Sequence, residues 1–465
     1  MSGDNPFVVV GSGIAGLTAA LLLRRRFPSD PIVIIEREHA IGGLWRSFEY
    51  DVHGYFDHGM HNLFETNIPE LDEMLFSILA PADWIVLEGR NRDLAGVFHN
   101  KKLQTYSPSI DLRYLPEKLL CRIIGEVFES AIKFGDCVST DISAETFADQ
   151  QWGKTVSERF IAPIMHRQFG VQLADLDSSA LALTALTRVI LIDEMPMRDF
   201  IKSNRIRSRI AFPEQRNLPS KYASGRRGFY PRKRGMQQAI NALEQKLIAT
   251  GVDIFVNAQI CDQRILDGQV ESITIKNADM TKQIDNIRNV IWSGGLIGAS
   301  KFLNLKMADL SFDRPRDVRV VNFVVDDHAA CDGLHYLYCY DNGFRSFRVT
   351  LYRNFGAIES PPAGYSISVE LLDVEERDAI PVALRELNLM GILNDKTTIH
   401  FAKSERLASG FPMPSVLNSR SFTTLRHDIS CLGLNNFGLV GAHSKPGLFF
   451  QVDVLSDVWH HINAL

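Results

Sequence analysis

Residues 55–67 read YFDHGMHNLFETN and, with His53 just upstream, place three imidazoles, His53, His58 and His61, within nine positions. Imidazole can ligate a metal, carry a proton or hydrogen-bond a cofactor, so the cluster poses a choice of chemistry. A metal centre needs further ligands in fixed geometry, and in sequence only Asp57 and Glu65 are near, so no metal is expected. The other use, a loop lying against a cofactor, requires that the rest of the chain build a cofactor site.

The first forty residues suit one. PFVVVGSGIAGLTAALLLRRRF passes from a β-branched run, Val8–Val10, through Gly11, Gly13 and Gly16 into an Ala/Leu-rich stretch suited to a helix. In such a G-x-G-x-x-G turn the first glycine permits the tight bend. The second admits a pyrophosphate and the third lets the helix pack on the sheet, with Ser12, Ile14 and Ala15 completing the contact set. The free N–H groups of the helix N-terminus then face the phosphates. PIVIIE comes next as a second strand and ends at Glu36, twenty residues past the last glycine, where a carboxylate can bond a ribose hydroxyl.

The residues after this acid separate NAD from FAD. EREHAIGGLWRS carries Arg37, then Gly42-Gly43, Leu44, Arg46 and Ser47, and its E-x5-G-G spacing resembles the glutathione-reductase-like FAD fold. FAD is therefore the expected cofactor, with Gly43 and Leu44 against the dinucleotide and Arg46 and Ser47 as donors. GFYPRKRGMQQAINALEQKLIATGVDIFV resembles the returning helix and strand of that fold, which implies that the backbone at Val256 bonds the adenine. NVIWSGG reads as a strand ending in small residues at Ser293 beside the cofactor. Near the end, Gly441-Ala442-His443 and the helix start Phe450-Gln451-Val452 resemble the closing FAD motif, whose helix N-terminus points at the flavin. Many members have Gly-Asp or Gly-Arg at this point, so His443 or Ser444 is the expected replacement contact.

These segments predict an α/β fold with a Rossmann-like FAD-binding domain assembled from residues 1–110, 225–300 and 410–465. A helical cap over 111–224 and an antiparallel-sheet substrate domain over 301–409 are inserted into it. The chain resembles the superfamily of UDP-galactopyranose mutase, protoporphyrinogen oxidase and the flavin amine oxidases. The resemblance is densest in HGMHNLFETN, in TVSERFIAPIMHRQFGVQLADLDSSAL, in FRSFRVTLYRNF with GYSISVE, and in the closing motif. It implies that His58, Gly59 and Met60 lie against the flavin. His61 is then aimed at N5 or the substrate as a proton acceptor, and His53 is left without a role. It also implies an Arg and a Tyr on a substrate diphosphate, for which strand parity selects Arg348 and Tyr352 over Arg345 and Arg353.

From Lys202 to Arg234 eleven Lys or Arg residues face a single acid, Glu214, with Phe212, Tyr222, Phe229 and Tyr230 among them. Such a run is either a solvated face or an electropositive mouth for an anionic substrate, and it also suits peripheral contact with anionic lipid. The expected function is an FAD-dependent oxidoreductase acting on an anionic small molecule, a nucleotide sugar or carboxylated metabolite, by hydride transfer to flavin N5. Two alternatives stand beside it: a mutase-like, non-redox sugar-nucleotide isomerase using reduced FAD, and a non-catalytic flavin-binding partner protein.

The net charge of −5 and pI near 6.2 give no reason to expect a nucleic-acid partner. Six cysteines without CxxC spacing suit a reducing compartment, and no apolar run reaches the roughly 18 residues of a membrane span, so a cytoplasmic location is expected. No second glycine fingerprint, G-x-S-x-G elbow or H-E-x-x-H motif is present to suggest an NAD(P)H domain, a hydrolase or a zinc protease.

Overall fold

The computed structural model describes residues 5–136, 142–356 and 364–465; Cys137 lies outside them. Its organising element is a five-stranded sheet in the order Val252–Phe255, Ile32–Ile35, Phe7–Val10, Asn289–Trp292, Phe437–Leu439, with every neighbouring pair parallel. Strands buried on both faces leave no place for alternating polar residues, and FVVV and IVII are accordingly apolar throughout. Val9 and Ile34 face the helices Ile14–Arg26, Gln237–Ala249 and Gln451–Ala464. Val8, Val10 and Ile35 face the helices Leu296–Phe302 and Val416–Cys431 and a three-stranded antiparallel sheet.

A second, seven-stranded sheet runs Ile399–Phe411, Arg316–Val325, Tyr365–Leu372, Ser346–Leu351, Tyr336–Cys339, Ala95–His99, Lys102–Gln104. Ala95–His99 and Lys102–Gln104, from the segment expected to run to residue 110 in the nucleotide-binding domain, pair into this sheet. Val321, Phe323, Leu337, Val349, Leu351, Ile367 and Val369 make one face apolar, and it is covered by the helix Glu376–Leu389. The opposite face carries Asn322, Tyr336, Tyr338, Arg348, Thr350, Ser368 and Glu370, the alternate positions of the same strands.

The insertion between the lobes is helical, with Glu117–Phe134, Ala144–Trp152 and Ala162–Phe169 packed around the fully buried Trp152. No helix among the described residues is long and apolar enough to cross a membrane.

Candidate active site

The glycine turn sits at the carboxyl ends of the parallel strands. Gly11 has φ +93°, a backbone only glycine adopts without strain. A Cβ at Gly16 would lie 2.0 Å from the Gly11 carbonyl oxygen, so the helix packs here only because the side chain is missing. Gly13 has open space on its outer side, and the helix it caps has no side-chain cap bond, which leaves the N–H groups of its first turn for a ligand. Gly43 backs onto this turn, its Cβ position 3.3 Å from the Gly13 Cα, and Gly441 packs on Ala15. The three sequence-distant glycine motifs thus converge on one cradle.

Glu36 closes the cradle's side. Its Oε2 accepts from the Ser12 amide at 2.8 Å and hydroxyl at 2.6 Å, and Oε1 accepts from the Glu38 amide at 2.8 Å. Beyond it, Phe255, Asn257 and Ala258 all bond the backbone of Glu36 or Glu38, and none of those bonds uses the amide or carbonyl of Val256. At the other end Gln451, in the first turn of the last helix, accepts the Phe64 amide at 3.0 Å and so ties that helix N-terminus to the strand after the histidine loop. Leu44 and Phe450, apolar residues of two of the converging motifs, are 49% and 46% exposed. The open ground above Gly13 and this exposed apolar surface fit a dinucleotide with a ring system attached.

Several expected contacts are taken up inside the protein. The Ser293 hydroxyl donates toward the carbonyls of Val10 and Gly11, which supports the turn rather than facing a ligand. Ser47 donates to Asp57, and Arg37 is exposed and pairs with Glu38. Arg46 donates to the Gly43 carbonyl. His443 stacks on Phe422 and lies by Phe449, whereas the buried Ser444 hydroxyl has no hydrogen-bond partner among the described residues and is the freer of the two expected replacements for the Asp or Arg absent after Gly441.

The three imidazoles do not converge. His53 stacks on Phe401 at 4.3 Å, His58 tilts onto Phe48 at 4.2 Å, and His61 sits 5.5 Å from Trp45. The loop is pinned by Asp57, whose buried carboxylate accepts from the Ser47 hydroxyl, the Met236 amide and the Tyr230 hydroxyl at 2.6, 2.9 and 2.8 Å. Met60 packs against the nucleotide-lobe core. His61 Nδ1 donates to the Gly59 carbonyl at 2.8 Å, which leaves Nε2 bare as an acceptor. Burial, and next the Arg348 charge, push His61 down to about 4, and burial followed by Arg46 does the same for His58. His61 is therefore neutral at physiological pH and a poor match for the proton-storing base expected of it.

Arg348 lies beside Gly59 and His61: from the Gly59 Cβ position its Nη2 is 3.2 Å, His61 Cε1 3.4 Å and Glu370 Oε2 3.5 Å. Nε and Nη2 of Arg348 grip Glu370 at 2.5 and 2.8 Å. Two of its three guanidinium nitrogens are thus engaged by Glu370. Tyr352, expected beside it, is 6% exposed and follows the strand in a short helical turn. Its hydroxyl accepts from the Asp57 amide at 3.0 Å and meets Ser368 at 3.3 Å, so it supports the histidine loop from below. Four of the eleven cations of the basic run pair with acids: Lys202 with Asp199, Arg205 with Asp136, Arg216 with Glu214 and Arg227 with Glu65.

Residues 9–76 match the family of NAD(P)-binding Rossmann-like domains. No curated protein matches the chain. Among solved structures, reduced UDP-galactopyranose mutase shares 16% identity at a TM-score of 0.72, covering 99% of this chain and 95% of that one. A protein provisionally assigned as protoporphyrinogen oxidase from Exiguobacterium sp. 255-15 shares 14% at 0.66, over 100% and 99%. Putrescine oxidase with redesigned cofactor binding shares 14% at 0.60, over 99% and 100%. The chain therefore has the fold of these structures, with a Rossmann-like NAD(P)-binding domain at residues 9–76.

Proposed function

We propose that the chain binds FAD and catalyses the oxidation of a small molecule held between the cofactor and the polar face of the seven-stranded sheet. The observation that carries this reading is the convergence of Gly13, Gly43 and Gly441 on one open cradle, with Glu36 on its flank and the histidine loop tied by Gln451 to the last helix. The helix N-terminus at Gly13 would hold the pyrophosphate, Glu36 a ribose hydroxyl and the Val256 backbone the adenine. Bound FAD supplies a two-electron acceptor able to take a hydride from a C–H bond. His61 Nε2 accepts a hydrogen bond from the hydroxyl or amine on that carbon and orients it, and the proton released with the hydride passes through it to water. The pairing of Arg348 with Glu370 offsets its charge and favours a substrate of low charge over a diphosphate at this point.

The test is a visible spectrum of the purified protein, then anaerobic mixing with a panel of hydroxy and amino compounds while flavin absorbance is followed. Bleaching by one member is the expected result; failure to take up added FAD would sink the proposal. A second reading, non-redox isomerisation, is favoured by the agreement over nearly the whole chain with reduced UDP-galactopyranose mutase. It requires activity that depends on dithionite and yields no net oxidation.

A further inference from the structure

Three neighbouring strands of the seven-stranded sheet place Tyr338, Arg348 and Glu370 directly across from one another, in register and on its polar face. Glu370, 5% exposed at its side chain, holds Arg348 by two parallel bonds and so fixes the plane of the guanidinium. Tyr338 is the residue paired across the strands with Arg348 and shares its face of the sheet. Its two neighbours on the strand are committed: Tyr336 donates to Asp93 at 2.9 Å, and Tyr340 donates to the Thr184 carbonyl. Both are nearly buried, at 7% and 2%, whereas Tyr338 between them remains partly exposed. Its ring lies 5.7 Å from that of Tyr336 and 6.0 Å from that of Tyr340, in a continuous aromatic wall.

The charged groups along this wall are one cation and two carboxylates. Arg348 is matched by Glu370, and Asp93, a quarter exposed, brings a carboxylate bonded by Asn62 at 2.9 Å as well as by Tyr336. A diphosphate arriving here would meet one paired cation and a carboxylate. An uncharged oxygen would meet an O–H across the strands from a guanidinium.

We propose that Tyr338, oriented by the Arg348–Glu370 pair, is the hydroxyl that binds substrate in this chamber, and that it takes a neutral carbonyl or hydroxyl oxygen borne on a flat apolar group. This names the substrate class of the site in Proposed function and rests on that reading.

The experiment titrates the flavin-loaded protein with benzamide and with UDP by calorimetry, alongside Tyr338→Phe and Glu370→Gln. Their thermal midpoints and flavin spectra confirm folding. Benzamide is expected to bind wild type more tightly than UDP does. Tyr338→Phe keeps the ring and loses the donor, so benzamide should weaken by about 3- to 10-fold, the value of one neutral hydrogen bond. Glu370→Gln uncovers the Arg348 charge and should strengthen UDP binding by about fivefold or more, the effect of a newly unpaired cation near an anion. Tighter binding of UDP than of benzamide by wild type, absence of benzamide binding, or an unchanged benzamide affinity in Tyr338→Phe would each overturn the proposal. Failure to take up FAD instead overturns the cofactor reading, and calorimetry on the flavin-free protein still decides the role of Tyr338.

Discussion

Asp57 anchors the histidine loop, and its protonation should be visible in the stability of the whole lobe. The carboxylate is 1% exposed, and burial raises it from 3.8 to about 6 although Ser47, Met236 and Tyr230 all donate to it and pull the other way. Because the folded value lies above the unfolded one, its stabilising contribution is complete below pH 4 and is lost as pH rises through 6. At about 1.4 kcal/mol for each tenfold change in proton affinity, this difference between the folded and unfolded chain amounts to about 3 kcal/mol. Asp57→Asn isolates the effect. Oδ1 already accepts from both Ser47 and Met236, so an amide can keep that oxygen in place while Tyr230 turns its hydroxyl to accept from the new NH2 group. Urea unfolding followed by tryptophan fluorescence, run on both proteins from pH 4 to 8, should show wild type losing about 2–3 kcal/mol relative to Asp57→Asn, with most of the loss between pH 4 and 6, half of it gone near pH 5, and a flat difference above pH 7. Other titrating groups cancel in that difference. A difference that is flat across the range, or that grows in favour of wild type as pH rises, would refute the assignment of burial as the dominant effect.

His61 and His58 should act in the opposite sense. Both are held near 4, below the ordinary 6.5, so their contribution is present above pH 6.5 and lost as pH falls toward 4; the His61 Cε1–H resonance should not titrate between pH 5.5 and 8. Glu370→Ala leaves Arg348 buried without its acid and should cost about 3–5 kcal/mol in urea unfolding, whereas replacing both residues by Met should cost far less. Gly16→Ala drives a methyl group against the Gly11 carbonyl and should lower stability by about 1–3 kcal/mol or more, with loss of flavin read from the ratio of absorbance at the visible and protein bands.

The nucleotide-binding lobe was legible because its signals are local. A strand, a glycine turn and a helix occupy consecutive residues, and Glu36 comes at a fixed distance after them, so spacing alone brings them together. The substrate side was less legible because its partners are chosen by sheet register. Glu370 engages Arg348 from 22 residues away, Tyr336 reaches Asp93 across 243, and Tyr230 reaches Asp57 across 173. A run of basic residues likewise says nothing about which acids will meet it; Arg205 finds Asp136 and Arg227 finds Glu65 only in the fold. Strand parity put Arg348 on the polar face of the sheet, yet it could not tell that the chain leaves the strand after Leu351, so that Tyr352 no longer follows the alternation. The Tyr352 hydroxyl consequently serves Asp57 instead of the chamber.

The apolar face behind the functional row is the element that fixes it. Arg348 and Glu370 are directed into the chamber because Val349, Leu351, Ile367, Val369 and Leu371 are fully buried on the far side against the helix Glu376–Leu389. A slip of one residue in either strand would set Val349 beside Gly59 and drive Arg348 into that core, at the cost of an unpaired buried charge and several exposed aliphatic side chains. The alternation in SFRVTL and SISVELL therefore does two things at once: its hydrophobic half provides the energy that holds register, and its polar half is thereby placed beside Gly59 and His61 of the histidine loop. A valine-to-alanine change at Val349 should accordingly disturb ligand binding in the chamber without touching it, through looser alignment of Arg348 with Tyr338 and Glu370.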